Sequence, residues 1–140
     1  MRRFGLVVLL LVAGGVWFLR SQSWEVGEKN FDRRVLQATT PVLVYFDTAP
    51  NCHGGYPVFQ KLRNQRRGKL EVVHVNAVTY SRLASTYGVG KEVLIGLFDH
   101  GHVAKSMGAR EWLGRVMAKN NGFYSDEAAL ADLESFVNLR

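Results

Sequence analysis

The sequence predicts an α/β domain with a mixed central sheet and helices on both faces, preceded by a membrane-spanning helix. Residues 42–46 and 93–98 are nearly continuous apolar segments, which is typical of strands buried on both faces. Helical segments separate the strands as far as residue 98, where a glycine turn joins two strands directly. This combination predicts a mixed sheet. The third observation is a long apolar run at residues 4–19.

The order of elements follows from apolar spacing and from residues that start or stop helices. Asn30 and Ser125 are candidate N-caps, and Pro57 suits a first helical position. Gly68 and Gly88 suit helix ends. The predicted strands are residues 24–26, 42–46, 70–77, 93–98 and 102–107. The predicted helices are residues 30–38, 57–67, 81–87, 110–119 and 125–138.

The apolar run at residues 4–19 contains sixteen residues without a charge, between Arg3 and Arg20. Two interpretations remain open. A cleavable signal peptide has this charge pattern. An uncleaved anchor is favoured, because the run continues beyond the candidate cleavage site at residues 13–15 as far as Leu19. Sixteen residues are slightly fewer than the ~17–25 of a usual spanning helix, and the flanking arginines can reach the interfaces.

The charges around this run predict the orientation of the chain. Arg2 and Arg3 precede it and only Arg20 follows it, so the N-terminus is expected to stay cytoplasmic. Residues 1–22 then form the anchor and a short linker, and residues 23–140 form the domain. We expect a single-pass protein of the bacterial inner membrane with its domain in the periplasm.

Two stretches resemble the thioredoxin family. N-F-D-R-R-V-L-Q-A-T-T-P-V-L-V-Y-F matches the family's first helix and central strand, and L-A-S-T-Y-G-V precedes an apolar strand that ends in L-F-D-H-G. The resemblance covers residues 23–140. It implies the thioredoxin-like three-layer fold, with residues 110–122 as an inserted helix. It also implies an active-site loop between the central strand and the next helix.

That loop departs from the family pattern, in which W-C-x-x-C supplies two cysteines. The chain has one cysteine, Cys52. Aligned from the strand, Asn51 takes the place of the nucleophilic cysteine; aligned from the helix, Cys52 takes the place of the resolving one. The family's buried acid corresponds to Tyr45 and its cis-proline to Val93. The residues of the equivalent site are therefore Asn51, Cys52, His53, Gly54, Gly55 and Val93.

These departures predict a redox-degenerate domain that acts as an accessory or binding subunit of an envelope membrane-protein complex. The alternative is a monothiol thiol–disulfide oxidoreductase or chaperone that uses Cys52, which would stop at a mixed disulfide. A metal carrier is a third class. In the family topology His100 and His102 lie away from the cysteine loop, so no shared zinc site is expected. No cofactor and no metal are expected.

Two further surfaces are candidates for binding. The predicted helix at residues 110–119 carries apolar residues at helical spacing, which either cover the sheet or contact a partner: Trp112, Leu113, Val116 and Met117. The predicted helix at residues 57–67 and the residues just after it contain a run of basic side chains: Lys61, Arg63, Arg66, Arg67 and Lys69. These basic residues are either a solvated face or a contact for anionic lipid. Nucleic acid is not expected, because no recognition module accompanies the charge.

Overall fold

The computed structural model describes residues 23–49, 56–90 and 94–139. The predicted anchor at residues 4–19, the cysteine loop at residues 51–55 and Val93 lie outside these ranges, so the predictions made for them stay predictions. None of the helices in the described ranges is long and apolar enough to cross a membrane.

A four-stranded mixed sheet forms the centre of the domain, as predicted. Its strands are β1 (Val42–Asp47), β2 (Glu71–Asn76), β3 (Leu94–Asp99) and β4 (His102–Gly108), and they lie in the order β2-β1-β3-β4. β1 is parallel to β2 and antiparallel to β3, and β3 is antiparallel to β4. β1 is buried along its whole length because it has a strand on each side and helices on both faces.

Five α-helices accompany the sheet in the part of the chain that the structure describes. The first, α1 (Glu28–Phe31), continues directly into a π-helical turn, Asp32–Leu36. The others are α2 (Tyr56–Gln65), α3 (Ser81–Thr86), α4 (Ala109–Lys119) and α5 (Asp126–Phe136).

The predicted helix signals are mostly confirmed. The Ser125 hydroxyl accepts a hydrogen bond from the Ala128 N–H at 3.1 Å, which satisfies one free donor of the first turn of α5. Gly88 follows α3 with a φ of 72°, a conformation that favours glycine. Asn30 was predicted as an N-cap, and this is wrong by three positions. Gly27 is the N-cap, and the Asn30 side chain accepts from the Gly27 N–H at 2.9 Å.

Two apolar clusters cover the two faces of the sheet, which confirms the layered arrangement. One cluster joins β1 to α2, α4 and α5 through residues such as Phe59, Val116 and Leu133. The other packs the first helix and α3 against the opposite face, with Phe31 and Phe98 in edge-to-face contact at 5.8 Å. The sheet is therefore enclosed between helices.

The predicted strand at residues 24–26 forms only a single bridge. The Val26 N–H donates to the His74 carbonyl at 2.8 Å, and the His74 N–H donates to the Trp24 carbonyl at 2.7 Å. This short segment runs parallel to β2 along its outer edge. The chain therefore enters the described domain at the end of the sheet where β2 begins.

A buried acid–histidine pair at the end of the first strand

Asp47 and His74 form a buried polar pair on the face of the sheet that α2 covers. Asp47 is the last residue of β1 and is 1% exposed, and His74 in β2 is 4% exposed. His74 Nε2 lies 3.3 Å from Asp47 Oδ2. Since an ionised carboxylate only accepts hydrogen bonds, the Nε2–H donates to it in that state. The pair is an acid–base couple enclosed by protein.

Asp47 also sets the path of the chain beyond β1. Its other carboxylate oxygen accepts from the Ala49 N–H at 2.8 Å, which closes an Asx-turn at the start of the following loop. Its backbone carbonyl accepts from the Ala77 N–H at 2.8 Å, just after β2. A single residue thus joins the ends of both parallel strands and the point where the loop begins.

Aromatic rings surround His74. The Trp24 ring stacks on the imidazole with a centroid distance of 5.0 Å, and the Tyr45 ring lies 5.8 Å away. The His74 backbone is bonded to the Trp24–Val26 segment as described above. The same residue therefore holds the entering chain through its backbone and the Asp47 carboxylate through its side chain.

Tyr45 is the residue that the resemblance predicts at the position of the family's buried acid. Its side chain is buried and stacks on Phe59 of α2 with centroids 4.5 Å apart and planes inclined by 16°. This position thus contributes an aromatic contact between sheet and helix. The buried carboxylate on this face is that of Asp47, two residues further along the same strand, where side chains point to the same face.

The predicted site residues Asn51, Cys52, His53, Gly54, Gly55 and Val93 all lie outside the described ranges. Their neighbours in the chain are close together at one end of the sheet, because Phe46 pairs with Leu94 in the register of β1 and β3. The described part of the site consists of Asp47, His74 and the rings around them.

The two histidines of the β3–β4 hairpin lie at the opposite end of the sheet. Phe98, just before the hairpin, pairs with Val42 at the start of β1, whereas Asp47 is at its end. The His100 ring is 80% exposed and contacts Asp99 at 2.9 Å. Among residues 23–49, 56–90 and 94–139, no three His, Cys, Asp or Glu side chains are grouped as metal ligands would be.

The predicted partner surface on α4 is wrong for two of its four residues. Trp112 and Val116 are 5% and 0% exposed, and Trp112 packs against Phe59 with ring centroids 5.5 Å apart. Helical spacing places Trp112 and Val116 on one side of α4, and the packing of that side against the core of the sheet buries them. Leu113 and Met117 are on the outer side and remain exposed at 40% and 41%.

The five basic residues after residue 60 do not form one surface. Arg63 is near the end of α2 and Arg67 is in the turn that follows it, whereas Lys61 is two positions before Arg63 and lies on another side of the helix. Arg66 approaches Glu134 of α5 at 4.0 Å, and Lys69 is exposed in the turn that follows α2. Basic residues that are close together in the sequence therefore make different contacts in the structure.

Sequence reasoning did not single out Asp47 or the pairing of His74. A signal for Asp47 exists, because it is a charged residue directly after the apolar run V-L-V-Y-F. A carboxylate at the end of a fully buried strand requires hydrogen-bond donors. His74 alternates with Val73 and Val75 in an apolar strand, a pattern that fits either a satisfied buried histidine or a surface one, and the structure shows the buried, satisfied form.

Comparison with known proteins identifies relatives for most of this domain. The Thioredoxin family model matches residues 22–118. Thioredoxin C-2 from Corynebacterium nephridii is 35% identical over 86 residues, which are 59% of this chain and 79% of that protein. Thioredoxin 1 from Nostoc sp. is 33% identical over 84 residues, which are 58% of this chain and 78% of that protein. The family match includes α4 and ends before α5.

Proposed function

The chain belongs to the thioredoxin family, and from that premise we propose that it is a membrane-anchored member without dithiol-exchange activity. In this proposal the domain faces the periplasm of a bacterium and acts as a binding or accessory subunit of a membrane-protein complex. The observation that carries the proposal is the single cysteine of the chain.

The chemistry of disulfide exchange explains why one cysteine matters. A thiolate attacks a disulfide, forms a new S–S bond to one sulfur and expels the other as a thiolate. A second thiol must then attack the mixed disulfide to release the product. Cys52 can perform the first step alone, so turnover on a protein disulfide requires a thiol that the chain does not contain.

The surroundings of the loop support the same proposal. Tyr45 packs its ring on Phe59 at the place where the family has its proton-transferring acid. Val93 replaces the cis-proline in the sequence. The loss of several parts of one reaction together is better explained by a change of role than by a change of substrate.

The membrane part of the proposal is supported by the apolar run at residues 4–19 and by the short stretch that follows it. Residues 20–22 connect this run to Ser23, and three extended residues span only about 10 Å. A domain tethered so closely to a bilayer meets other membrane proteins rather than freely diffusing ones, which suits an accessory subunit.

Insulin reduction with dithiothreitol as electron donor tests the absence of turnover. We expect the full-length protein in detergent to leave the precipitation rate at the level of the dithiothreitol blank, and Cys52→Ser to behave identically. A dithiol thioredoxin at the same concentration is the positive control. A rate above the blank that is lost in Cys52→Ser would contradict the proposal. Co-purification from membranes in mild detergent, compared between the two forms, tests the binding role.

One observation favours the monothiol alternative. The Asp47–His74 pair is a buried acid–base couple, and Asp47 bonds directly to the start of the cysteine loop through the Ala49 N–H. A defined mixed disulfide on Cys52, isolated from cells under non-reducing conditions and absent from Cys52→Ser together with the biological activity, would establish this alternative in place of the first proposal.

A further inference from the structure

Three arginines meet at the end of the sheet where the chain enters the domain. Arg34 donates from Nη1 to the Ser23 carbonyl and from Nη2 to Glu71 Oε1, each at 2.5 Å. Arg34 is nearly buried, with 7% of its side chain exposed. Arg63, near the end of α2, interacts electrostatically with Glu71, with Arg34 and with Arg67, and Arg67 lies in the turn that leads from α2 to Glu71. We call Arg34, Arg63, Arg67 and Glu71 the basic end.

Charge is in excess at the basic end. The basic end has three arginines and one carboxylate, and because Glu71 is paired with Arg34 the excess positive charge is on Arg63 and Arg67. Burial lowers the pKa of Arg63 and Glu71 raises it, while Arg34 and Arg67 lower it further by repulsion. A cluster of like charges that is held together by the fold gains free energy when an anionic surface approaches it.

The position of the basic end connects it with the entering chain. Ser23 is the first described residue after the apolar run and the short linker, and Arg34 holds its carbonyl. Glu71 is the first residue of β2 and pairs with Val42, the first residue of β1. The basic end is therefore the same end of the sheet at which a membrane anchor would leave the domain.

We propose that the basic end seats on anionic phospholipid headgroups and thereby orients the domain on the bilayer. This inference rests on the proposed membrane anchor. It also places the other end of the sheet: β1 has six residues from Val42 to Asp47, which span about 16 Å. The Asp47–His74 pair and the loop that begins there then point away from the membrane, toward partners outside it.

Two single-cysteine labels distinguish the two ends of the sheet. Gln65→Cys is at the end of α2, beside the basic end, and Val78→Cys follows the far end of β2 and is 63% exposed. Both are made in full-length Cys52→Ser protein and carry a bimane fluorophore. The protein is reconstituted into vesicles of phosphatidylcholine alone, or of phosphatidylcholine and phosphatidylglycerol in equal parts, with a headgroup spin label as quencher.

The expected result is stronger quenching of the label at position 65 in the anionic vesicles only. Each basic residue near such a surface contributes about fivefold to binding, so Arg63→Gln with Arg67→Gln should lower the docked-to-undocked ratio about thirtyfold. Raising the salt concentration from about 50 mM to about 500 mM should also lower the docked-to-undocked ratio. The Lys61→Gln, Arg82→Gln pair removes the same charge elsewhere and should change the ratio less than about twofold.

Different outcomes of this experiment would overturn the anchor and the lipid contact. Failure of the unlabelled protein to remain with the vesicles after alkaline carbonate extraction would overturn the anchor itself. Retention with equal quenching of both labels, or quenching that does not depend on phosphatidylglycerol, would overturn the basic end as a lipid contact while leaving the anchor intact. The single variant Arg67→Glu, at an exposed position bonded only to Asn64 among described side chains, repeats the test if the double variant loses its fold.

Discussion

At the scale of single residues, Asp47 is a carboxylate in a fully buried position, where the desolvation of a charge is costly. A carboxylate with 1% exposure loses nearly all its water, and charge in such a place must be compensated by hydrogen bonds. The Ala49 N–H and the His74 imidazole provide these bonds at 2.8 Å and 3.3 Å. Removing the carboxylate takes this acceptor away from the buried His74 imidazole, whereas the Ala49 N–H belongs to an exposed residue and can bond to water.

Asp47→Ala should therefore lower the free energy of unfolding by about 3 kcal/mol, the usual cost of breaking a buried pair from one side. Urea denaturation followed by circular dichroism measures it. Glu127→Ala, at an exposed position in the first turn of α5, is the matched control and should change stability by less than about 0.5 kcal/mol. A loss below about 1 kcal/mol for Asp47→Ala would show that the pair contributes little to the fold.

At the scale of elements, α4 and α5 form a joined unit that closes one face of the sheet. Asp132 of α5 has a fully buried side chain and accepts from Lys119 at 2.7 Å and from Arg115 at 3.2 Å, both on α4. Leu133 and Phe136 continue the apolar contact toward the core. The ion pairs align the two helices, and burial of α4 against Phe59 follows from that alignment.

Trp112→Ala and Met117→Ala separate the two sides of α4. Trp112→Ala should cost about 3–5 kcal/mol, because it removes a large ring from the core, and Met117→Ala less than about 0.5 kcal/mol. Thermal and urea unfolding measure both. Trp112→Phe should lose less than Trp112→Ala, since Trp112 Nε1 has no hydrogen-bond partner in the described structure. Similar small costs for both alanine variants would mean that α4 does not depend on its inner face.

At the scale of the whole molecule, the two ends of the sheet differ in character. One end has the entering chain, the arginines of the basic end and the β3–β4 hairpin. The other has the Asp47–His74 pair and the start of the cysteine loop, and the parallel register of β1 and β2 keeps them apart. A tethered domain with this polarity would present the loop end to other proteins.

The proposed anchor is tested by two substitutions in the apolar run. Leu10→Arg with Leu11→Arg should release the protein from membranes, because each central arginine costs about 2.5–3.5 kcal/mol on insertion. Alkaline carbonate extraction measures the released fraction. Val78→Arg with Phe123→Arg, at exposed apolar positions of the domain, is the control and should leave the protein in the membrane.

Intact-mass measurement of the extracted wild-type protein accompanies this test. A mature chain that begins at Met1 supports the anchor, whereas one that begins near Val16 would remove both the anchor and the short tether.

The sequence by itself determined the architecture. The apolar runs at residues 42–46 and 94–98, the Ser125 cap and the Gly88 stop are signals that depend on a few neighbouring residues, and each appears in the structure where it was predicted. The single cysteine is equally independent of folding. These features are local, because burial on both faces and the ends of helices depend on neighbouring residues.

Only the tertiary structure decided which side chains meet. Asp47 and His74 are 27 residues apart and meet through the pairing of β1 with β2, whereas Arg34 and Glu71 are 37 apart and meet between the π-helical turn and the start of β2. Trp112 faces the core because α5 and Phe59 cover it, which helical periodicity alone does not reveal. The physical reason is common to all three. An amphipathic or charged pattern in the sequence indicates that a side chain must be buried or paired. The packing of the helices on the sheet determines which residue it contacts.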